Sequence, residues 1–156
     1  MQMELAGTQD QEKEYTFTTP VALGLSYNRV NRKHPEVHNK VGKCIKFVAD
    51  SIKRSNNQPY MKPEFLFNKF LEGYSDMWVA VEGQEIVGCL LIGVANYPEQ
   101  TGINSEATAG KFHFETMMPA LEDYYRKRGA KFVEISGRKG WERRFGPMGY
   151  TVKNVT

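Results

Sequence analysis

The sequence contains little cysteine and little histidine, and it has no long apolar run. Among its 156 residues there are two cysteines and three histidines. Two cysteines are too few for the disulfide framework of a small secreted domain. Both lie in apolar segments, so we expect Cys44 and Cys89 to be buried thiols in a reducing compartment. The longest apolar stretch, from Ile86 to Ala95, is too short to cross a bilayer. We therefore expect a soluble intracellular protein without a membrane segment.

The start of the chain lacks the apolar segment of a secretion signal. Residues 1–14 are polar and acidic, and we expect them to form a flexible leader. The length of 156 residues fits one domain that can bury a core. The hydrophobic content of 40% and the charged content of 25% are ordinary for a globular protein. We therefore expect a single domain over residues 15–156.

The signatures of several enzyme classes are also missing. The sequence contains no nucleophile–base pair, Walker-type phosphate loop, dinucleotide fingerprint or zinc spacing. His34 and His38 have helical spacing with Glu36 between them, but no third ligand follows at a telling distance. We therefore expect no metal site, and few enzyme classes remain open.

Hydrophobic periodicity predicts an order of elements that is typical of an α/β (α+β) domain. In chain order, the predicted elements are a strand (15–18), a loop (21–36), a helix (37–54), a helix (63–73), three strands (77–81, 85–95 and 103–108), a helix that ends at Gly129, a strand (131–135), a short helix and a last strand. Pro119 is expected to mark where the regular part of the third helix begins. An antiparallel meander followed by a strand–helix–strand crossover predicts a mixed, mostly antiparallel sheet flanked by helices.

The segment from Arg126 to Arg144 is strongly basic. It contains eight lysines and arginines against two glutamates. Such a run is commonly a solvated surface, but it is also typical of a surface that binds a phosphate-bearing ligand or a nucleic acid. Trp141 and Phe145 lie four residues apart within it, a spacing that predicts packing of a short helix on the sheet.

The order of elements resembles the GNAT (Gcn5-related N-acetyltransferase) fold. Several short segments also resemble GNAT-like proteins of tailed bacteriophages: Trp78-Val79-Ala80, Asn96-Tyr97-Pro98, Ala109-Gly110 before a helix, and the run Gly137-Arg138-Lys139-Gly140-Trp141-Glu142-Arg143. The similarity covers roughly residues 37–153. It implies an acetyl-CoA-dependent N-acyltransferase of phage origin that acts on an amine acceptor, located in the host cytoplasm or associated with the virion.

The resemblance also implies residue roles. Ala109, Gly110 and Lys111 stand where the fold holds the phosphates of acetyl-CoA, with Arg138 and Lys139 as further contacts. The implied catalytic residues are Glu106 as the base, Ser136 as a hydrogen-bond donor to the acetyl-CoA or its leaving sulfur, and Tyr150 as a substitute for the acid that protonates the thiolate. His113, beside the same loop, is a further candidate for acid–base chemistry.

The cofactor loop departs from the family pattern and leaves other functions open. GNAT enzymes usually carry Arg/Gln-x-x-Gly-x-Gly/Ala here, whereas the stretch from Glu106 to His113 contains a single glycine. One alternative is therefore a catalytically inactive GNAT-like phage protein that binds a host or virion protein. Another is a protein that binds or modifies nucleic acid through its basic segment, Arg126–Arg144.

Overall fold

The computed structural model describes residues 24–55, 62–135, 143 and 145–151. Several predictions fall outside these residues, namely the leader (1–14), the edge strand at 15–18 and the last strand. Within the described residues the chain forms one α/β domain with five strands and three main helices. The predicted fold class is confirmed.

The five strands form one mixed sheet in the order β1-β2-β3-β4-β5. They are β1 (Leu25–Arg29), β2 (Ser75–Glu82), β3 (Glu85–Asn96), β4 (Thr101–Gly110) and β5 (Val133–Ile135). Neighbours from β1 to β4 are antiparallel, and β5 runs parallel to β4. A parallel pair requires a crossover, and the third helix supplies it.

The prediction of a loop over residues 21–36 is wrong, because β1 occupies Leu25–Arg29. Leu25, Tyr27 and Arg29 are buried while the residues between them are half-buried. This alternation of period two is what a strand with one face toward the core requires. The arginine on the buried face and the polar residues after Val30 hide the pattern in the sequence.

The three helices begin and end close to the predicted positions. They are α1 (Val37–Ser55), α2 (Pro63–Glu72) and α3 (Phe114–Arg126). Pro63 stands in the first turn of α2, and Gly73 ends it with a φ of 94°. The prediction for Pro119 is wrong: α3 begins earlier, at Phe114, and the proline lies inside it. No helix among the described residues is long and apolar enough to span a membrane.

The sheet separates two apolar clusters. Helices α1 and α2 cover one face, where Cys44 and Cys89 are both fully buried as predicted. Helix α3 covers the other face, together with Phe145, which is buried as its spacing predicts. Every strand from β1 to β4 contributes to at least one cluster, so the sheet holds the helices at fixed positions around β4.

Candidate active site at the β4–β5 edge

The parallel pairing between β4 and β5 is short. It joins Ile103 to Val133, Asn104 to Glu134, and Ser105 to Ile135. Strand β4 continues beyond Ser105 to Gly110, and this part has no β5 partner among the described residues. Residues 136–142, which follow β5 in the chain, lie outside the described residues, so this part of β4 is described only on its β3 side.

A β-bulge at Glu106 lies where the described pairing stops. On β3, Leu91 pairs with Ala107 and Ile92 pairs with Ser105, so Glu106 has no direct partner on that strand. Glu106 contacts Lys69 on α2, and Ala107 packs in the cluster under α1 and α2. Two consecutive residues thus face the same side, which is the effect of an extra residue in one strand. The bulge aims the Glu106 carboxylate at α2.

The Glu106 carboxylate is mostly buried, and only one of its two oxygens has a hydrogen-bond partner among the described residues. Its Oε2 forms an ion pair and hydrogen bond with Nζ of Lys69. The side chain is only 11% exposed, and Oε1 is buried with no hydrogen-bond partner among the described residues. Oδ1 of Asn104 is likewise buried without a hydrogen-bond partner among the described residues. A Cβ on Gly93 would lie 2.6 Å from Glu106 Oε2 and 3.0 Å from Asn104 Oδ1, so the missing side chain makes room for both groups.

A narrow apolar cleft of about 20 Å³ lies on the opposite face of β4, under α3. Such a volume holds about one water molecule. Most of its lining is aliphatic or aromatic, from β3, β4, β5, α3 and Phe145. The polar groups of the lining are Ser105, Thr108 and Glu122, and the first two share a hydrogen bond of 2.8 Å between their hydroxyls. The cleft is thus an apolar space under α3 whose lining includes two hydroxyls.

The turn from β4 into α3 holds the predicted phosphate-binding residues. Gly110 has a φ of 92°, and the Lys111 N–H donates to the Val87 carbonyl at 2.9 Å. The Lys111 ammonium lies 2.6 Å from a Glu82 carboxylate oxygen on the protein surface. The His113 N–H donates to the Tyr27 hydroxyl at 2.8 Å. Two of the N–H groups between residues 110 and 113 are therefore already bonded within the protein.

Tyr150 lies near the C-terminal end of the described residues and contacts α3. Its hydroxyl donates to the Glu122 carboxylate, a residue that lines the cleft. Its ring packs edge-on to Phe145, with the centroids 5.5 Å apart. Partial burial, reinforced by the Glu122 carboxylate, raises the pKa of Tyr150 well above its usual value. Tyr150 therefore keeps its proton at any physiological pH and remains a hydrogen-bond donor beside the cleft.

Several predicted site residues lie outside the described residues. They are Ser136, Arg138, Lys139 and Trp141. The structure places Glu106 at the end of the described β4–β5 pairing on the α2 face, and Tyr150 beside the cleft on the α3 face. Ala109 and Gly110 are the last two residues of β4, and Lys111 follows them. His113 directly precedes α3 without a side-chain capping hydrogen bond, and its Nδ1 lies 2.8 Å from the Thr116 hydroxyl oxygen.

Sequence reasoning missed four polar side chains around β4, namely Lys69, Glu122, Ser105 and Thr108. Ser105 and Thr108 could have been found from the polar residues that interrupt β4. Lys69 carried no signal, because it is one polar residue on an amphipathic helix.

The arrangement of elements matches known acetyltransferase structures. One is a predicted acetyltransferase with acetyl-CoA from Clostridium acetobutylicum, with a TM-score of 0.64 and 10% identity over 83% of this chain and 92% of that one. Another is a GCN5-related N-acetyltransferase from Ralstonia eutropha, with a TM-score of 0.64 and 12% identity over 85% of this chain and 96% of that one. The chain has the GNAT fold.

A third GNAT-fold neighbour is an aminoglycoside acetyltransferase from an uncultured soil metagenomic sample, in complex with sisomicin. Its TM-score is 0.57, with 16% identity over 85% of this chain and 92% of that one. No protein-family model matches the sequence. No curated protein matches it significantly in sequence. At these identities the GNAT likeness establishes the fold and not the function.

Proposed function

We propose that this protein is an acetyl-CoA-dependent N-acyltransferase that acts on an amine acceptor. The observation that carries the proposal is the sheltered Glu106 carboxylate on the β4 bulge, next to the last described pair between β4 and β5. A carboxylate with one unsatisfied oxygen can accept a proton from an amine. Its place on a rigid strand holds that oxygen in a constant position.

Acyl transfer from a thioester demands little of the protein. The amine must lose a proton, the oxyanion must be stabilised, and the departing thiolate must gain a proton. We assign the first task to Glu106 on the α2 face of β4 and the last to Tyr150 on the α3 face, an assignment that requires the thioester to lie at the strand edge between them. The hydroxyls of Ser105 and Thr108 are available as donors at the cleft. Ser136 keeps the predicted role of donor to the sulfur.

The described residues fit the acetyl end of acetyl-CoA better than they fit its phosphates. The apolar cleft has room for one small group such as the acetyl methyl, and bound acetyl-CoA would supply the activated acetyl group there. The phosphates fit less well at 110–113, since Lys111 and His113 donate their N–H groups to Val87 and Tyr27. We therefore propose that Arg138 and Lys139 provide most of the phosphate contacts and that Lys111 joins them after leaving Glu82.

The acceptor is proposed to be a primary amine. Solved structures with this fold include an aminoglycoside acetyltransferase in complex with sisomicin and a ribosomal-protein-alanine N-acetyltransferase from Brucella melitensis. Both described functions concern amines, on a small molecule and on a protein. The unsatisfied oxygens of Glu106 and Asn104 fit such a group, because an ammonium offers only hydrogen-bond donors.

Calorimetric titration of the purified protein with acetyl-CoA tests the proposal, with coenzyme A as the control ligand. We expect a dissociation constant in the micromolar range, about −8 kcal/mol. Arg138→Ala should weaken the affinity by about tenfold, since an arginine–phosphate contact is charge-assisted. The absence of binding at millimolar acetyl-CoA would refute the acyltransferase function.

One observation favours a second candidate, a GNAT-fold protein without catalytic activity. The N–H groups of Lys111 and His113 and the Lys111 ammonium are all bonded within the protein. In a protein that no longer bound acetyl-CoA, the N–H groups before α3 would be bonded within the protein as they are here. In that case we propose that it serves a phage, in the host cytoplasm or on the virion, through a protein partner. Failure to bind acetyl-CoA, together with a specific phage or host protein in pull-down, would support this candidate.

The nucleic-acid function stays a prediction. It depends on the basic segment Arg126–Arg144, most of whose later part lies outside the described residues. Within the described part, the Arg128 guanidinium lies 3.6 Å over the Tyr124 ring, and Lys127 pairs with Asp123 at 3.0 Å. These contacts use two of the basic side chains within α3 and its end.

A further inference from the structure

A pocket of about 320 Å³ lies between the first turns of α1 and the first three strands of the sheet. This volume corresponds to about ten water molecules of liquid, and it falls in the range of small-molecule sites. The described residues that line it come from β1, β2, β3, the turns beside them and the start of α1. None of them belongs to β4, β5 or α3, so the pocket is separate from the candidate active site.

The floor of the pocket is aliphatic. It consists of Val30, Val79, Val81 and Ile86, which also belong to or pack against the apolar cluster under α1 and α2. Val30 and Val79 are buried, whereas Val81 and Ile86 are only half-buried and keep apolar surface in contact with water. An apolar group that covered these two side chains would be removed from water together with them, which is favourable.

The rim of the pocket is polar and has an excess of positive charge. Lys40 and Lys43 lie three residues apart on α1, and the Lys40 N–H donates to the Glu36 carbonyl at 3.0 Å, so all three residues share one face of the helical turn. Neither lysine ammonium has a hydrogen-bond or ion-pair partner among the described residues. The Glu36 carboxylate accepts from the Asn39 amide at 3.4 Å. Two lysines against one glutamate leave one positive charge at the rim.

We propose that this pocket binds a small amphiphilic carboxylate, an aliphatic acid of about eight carbons. Its carboxylate contacts Lys40 and Lys43, and its chain lies on the aliphatic floor. Such an acid has about ten non-hydrogen atoms, which matches the volume of the pocket. Its single negative charge matches the excess charge of the rim, whereas a phosphate group would bring nearly two charges. The site does not depend on the acyltransferase function.

The test is two-dimensional NMR of the isotope-labelled full chain with sodium octanoate. We expect the amide signals of Lys40, Lys43 and Ile86 to shift and to saturate with a dissociation constant of about 0.1–1 mM, an ordinary affinity for a ligand of this size. The signals of Ser105 and Thr108, which line the cleft under α3, should stay unchanged. The absence of shifts at the pocket residues with about 10 mM octanoate would overturn the proposal.

Three control ligands test the charge and the chain separately. Octylamine has the same chain with the opposite charge and should not bind. Octanol, which is uncharged, and butyrate, which has a shorter chain, should each bind at least about tenfold more weakly than octanoate. Equal affinity for octanol would show that the pocket does not recognise an anion, and equal affinity for butyrate would show that the floor takes no part. Either result would contradict the proposal.

Variants of the rim test the same assignment from the side of the protein. Lys40→Met keeps the aliphatic stem without the charge and should weaken octanoate binding by about tenfold. Lys46→Met is the matched control and should stay within about twofold, because Lys46 is an exposed residue of the same helix that does not line the pocket.

A second variant adds charge instead of removing it. Gln84 lines the pocket from the turn between β2 and β3, and Gln84→Glu should weaken octanoate binding by about threefold. Gln100→Glu, at an exposed residue before β4, is its control and should have no effect. Thermal unfolding verifies that the variants fold. Unchanged affinity in both Lys40→Met and Gln84→Glu would contradict the proposal.

Octanoate and acetyl-CoA should bind independently, because the pocket shares no described residue with the cleft under α3 or with the Glu106 bulge. The octanoate titration is therefore repeated with acetyl-CoA present. A competitive loss of octanoate affinity would show that the pocket belongs to the acetyl-CoA site and would overturn the proposal. If acetyl-CoA does not bind, the acyltransferase function is wrong, and saturable octanoate binding still establishes this pocket as a separate site.

Discussion

Gly110 and Gly88 lie opposite each other on β4 and β3, and a Cβ on Gly110 would lie 2.6 Å from the Cα of Gly88. Gly110 also has a φ of 92°, which side chains rarely allow. The chain leaves the sheet here and turns toward α3, so the two glycines determine how close the start of α3 comes to β3. The single glycine of the shortened loop is therefore required by packing in this protein, independently of any ligand.

Gly110→Ala should destabilise the protein by about 2–4 kcal/mol, because strain at positive φ adds to a backbone contact that cannot relax. Denaturant unfolding measures the change. Gly83→Ala is the matched control: Gly83 has a φ of 64°, but a Cβ there meets no described atom within 4 Å. The control should lower the free energy of unfolding by about 1 kcal/mol, because only the backbone strain at positive φ contributes. Equal losses in the two variants would show that the contact with β3 is unimportant.

Gly93→Ala should disturb the candidate base without breaking the fold. Its new Cβ would lie 2.6 Å from Glu106 Oε2 and would push the carboxylate away from its position. We expect kcat for coenzyme A release with a primary-amine acceptor to fall by about 100-fold, the effect of a small misplacement of a catalytic group. The affinity for acetyl-CoA should stay within a factor of about two, since the carboxylate faces α2 and not the cleft.

Gly42→Ala is the control for that substitution. Gly42 is an exposed residue of α1, and a Cβ there meets no described atom within 4 Å. It should stabilise α1 by about 0.5–1 kcal/mol and leave kcat unchanged. Full activity of the Gly93→Ala variant would show that Glu106 is not the base of the reaction.

The sequence predicted most of the fold because most elements follow local rules. The stripe of α1, the Pro63 start and Gly73 end of α2, and the apolar strands of the hairpin are all patterns within a few neighbouring residues. Strand β1 was missed because Arg29 occupies a buried position, which a hydrophobic pattern cannot reveal.

The site was harder to predict because its contacts join distant parts of the chain. The predictions placed Glu106 near the end of a strand at 103–108, whereas β4 continues to Gly110 and Glu106 lies at its middle, on the bulge. They did not include Lys69, since only the packing of α2 on the sheet brings it to the bulge. The Glu122–Tyr150 contact is of the same kind, with 28 positions between its members. Such pairs arise from tertiary packing, so the spacing of residues in the sequence does not predict them.

Tyr125 connects α3 to the start of β2 through a buried network. Its hydroxyl donates to Asp76 Oδ2 at 2.6 Å and accepts from Trp78 Nε1 at 3.0 Å. Tyr125→Phe removes one partner from each residue and should cost about 2–3 kcal/mol, as expected for a buried hydrogen bond to a charged group. Denaturant unfolding with an unchanged m-value is the measurement. Tyr74→Phe, at a side chain that is 60% exposed, should stay within about 0.5 kcal/mol; similar losses in both would contradict the network's role.

The raised pKa of Tyr150 predicts a loss of stability in alkali. Partial burial and the hydrogen bond to Glu122 hold the proton on Tyr150 in the folded protein, whereas a tyrosine in the unfolded chain ionises near pH 10. Since the folded state binds the proton more tightly, this stabilisation is complete below about pH 10 and declines above it. Each such tyrosine contributes a slope of up to about 1.4 kcal/mol per pH unit.

Tyr150→Phe should therefore flatten the fall in the free energy of unfolding above pH 10, by up to that slope. Urea unfolding at several alkaline pH values measures it, with Tyr74→Phe as the control for loss of an exposed hydroxyl. The Tyr150 variant should also keep its affinity for acetyl-CoA and lose kcat if the hydroxyl protonates the thiolate. If the slope flattens while kcat stays the same, Tyr150 is a structural partner of Glu122 and another group supplies the proton.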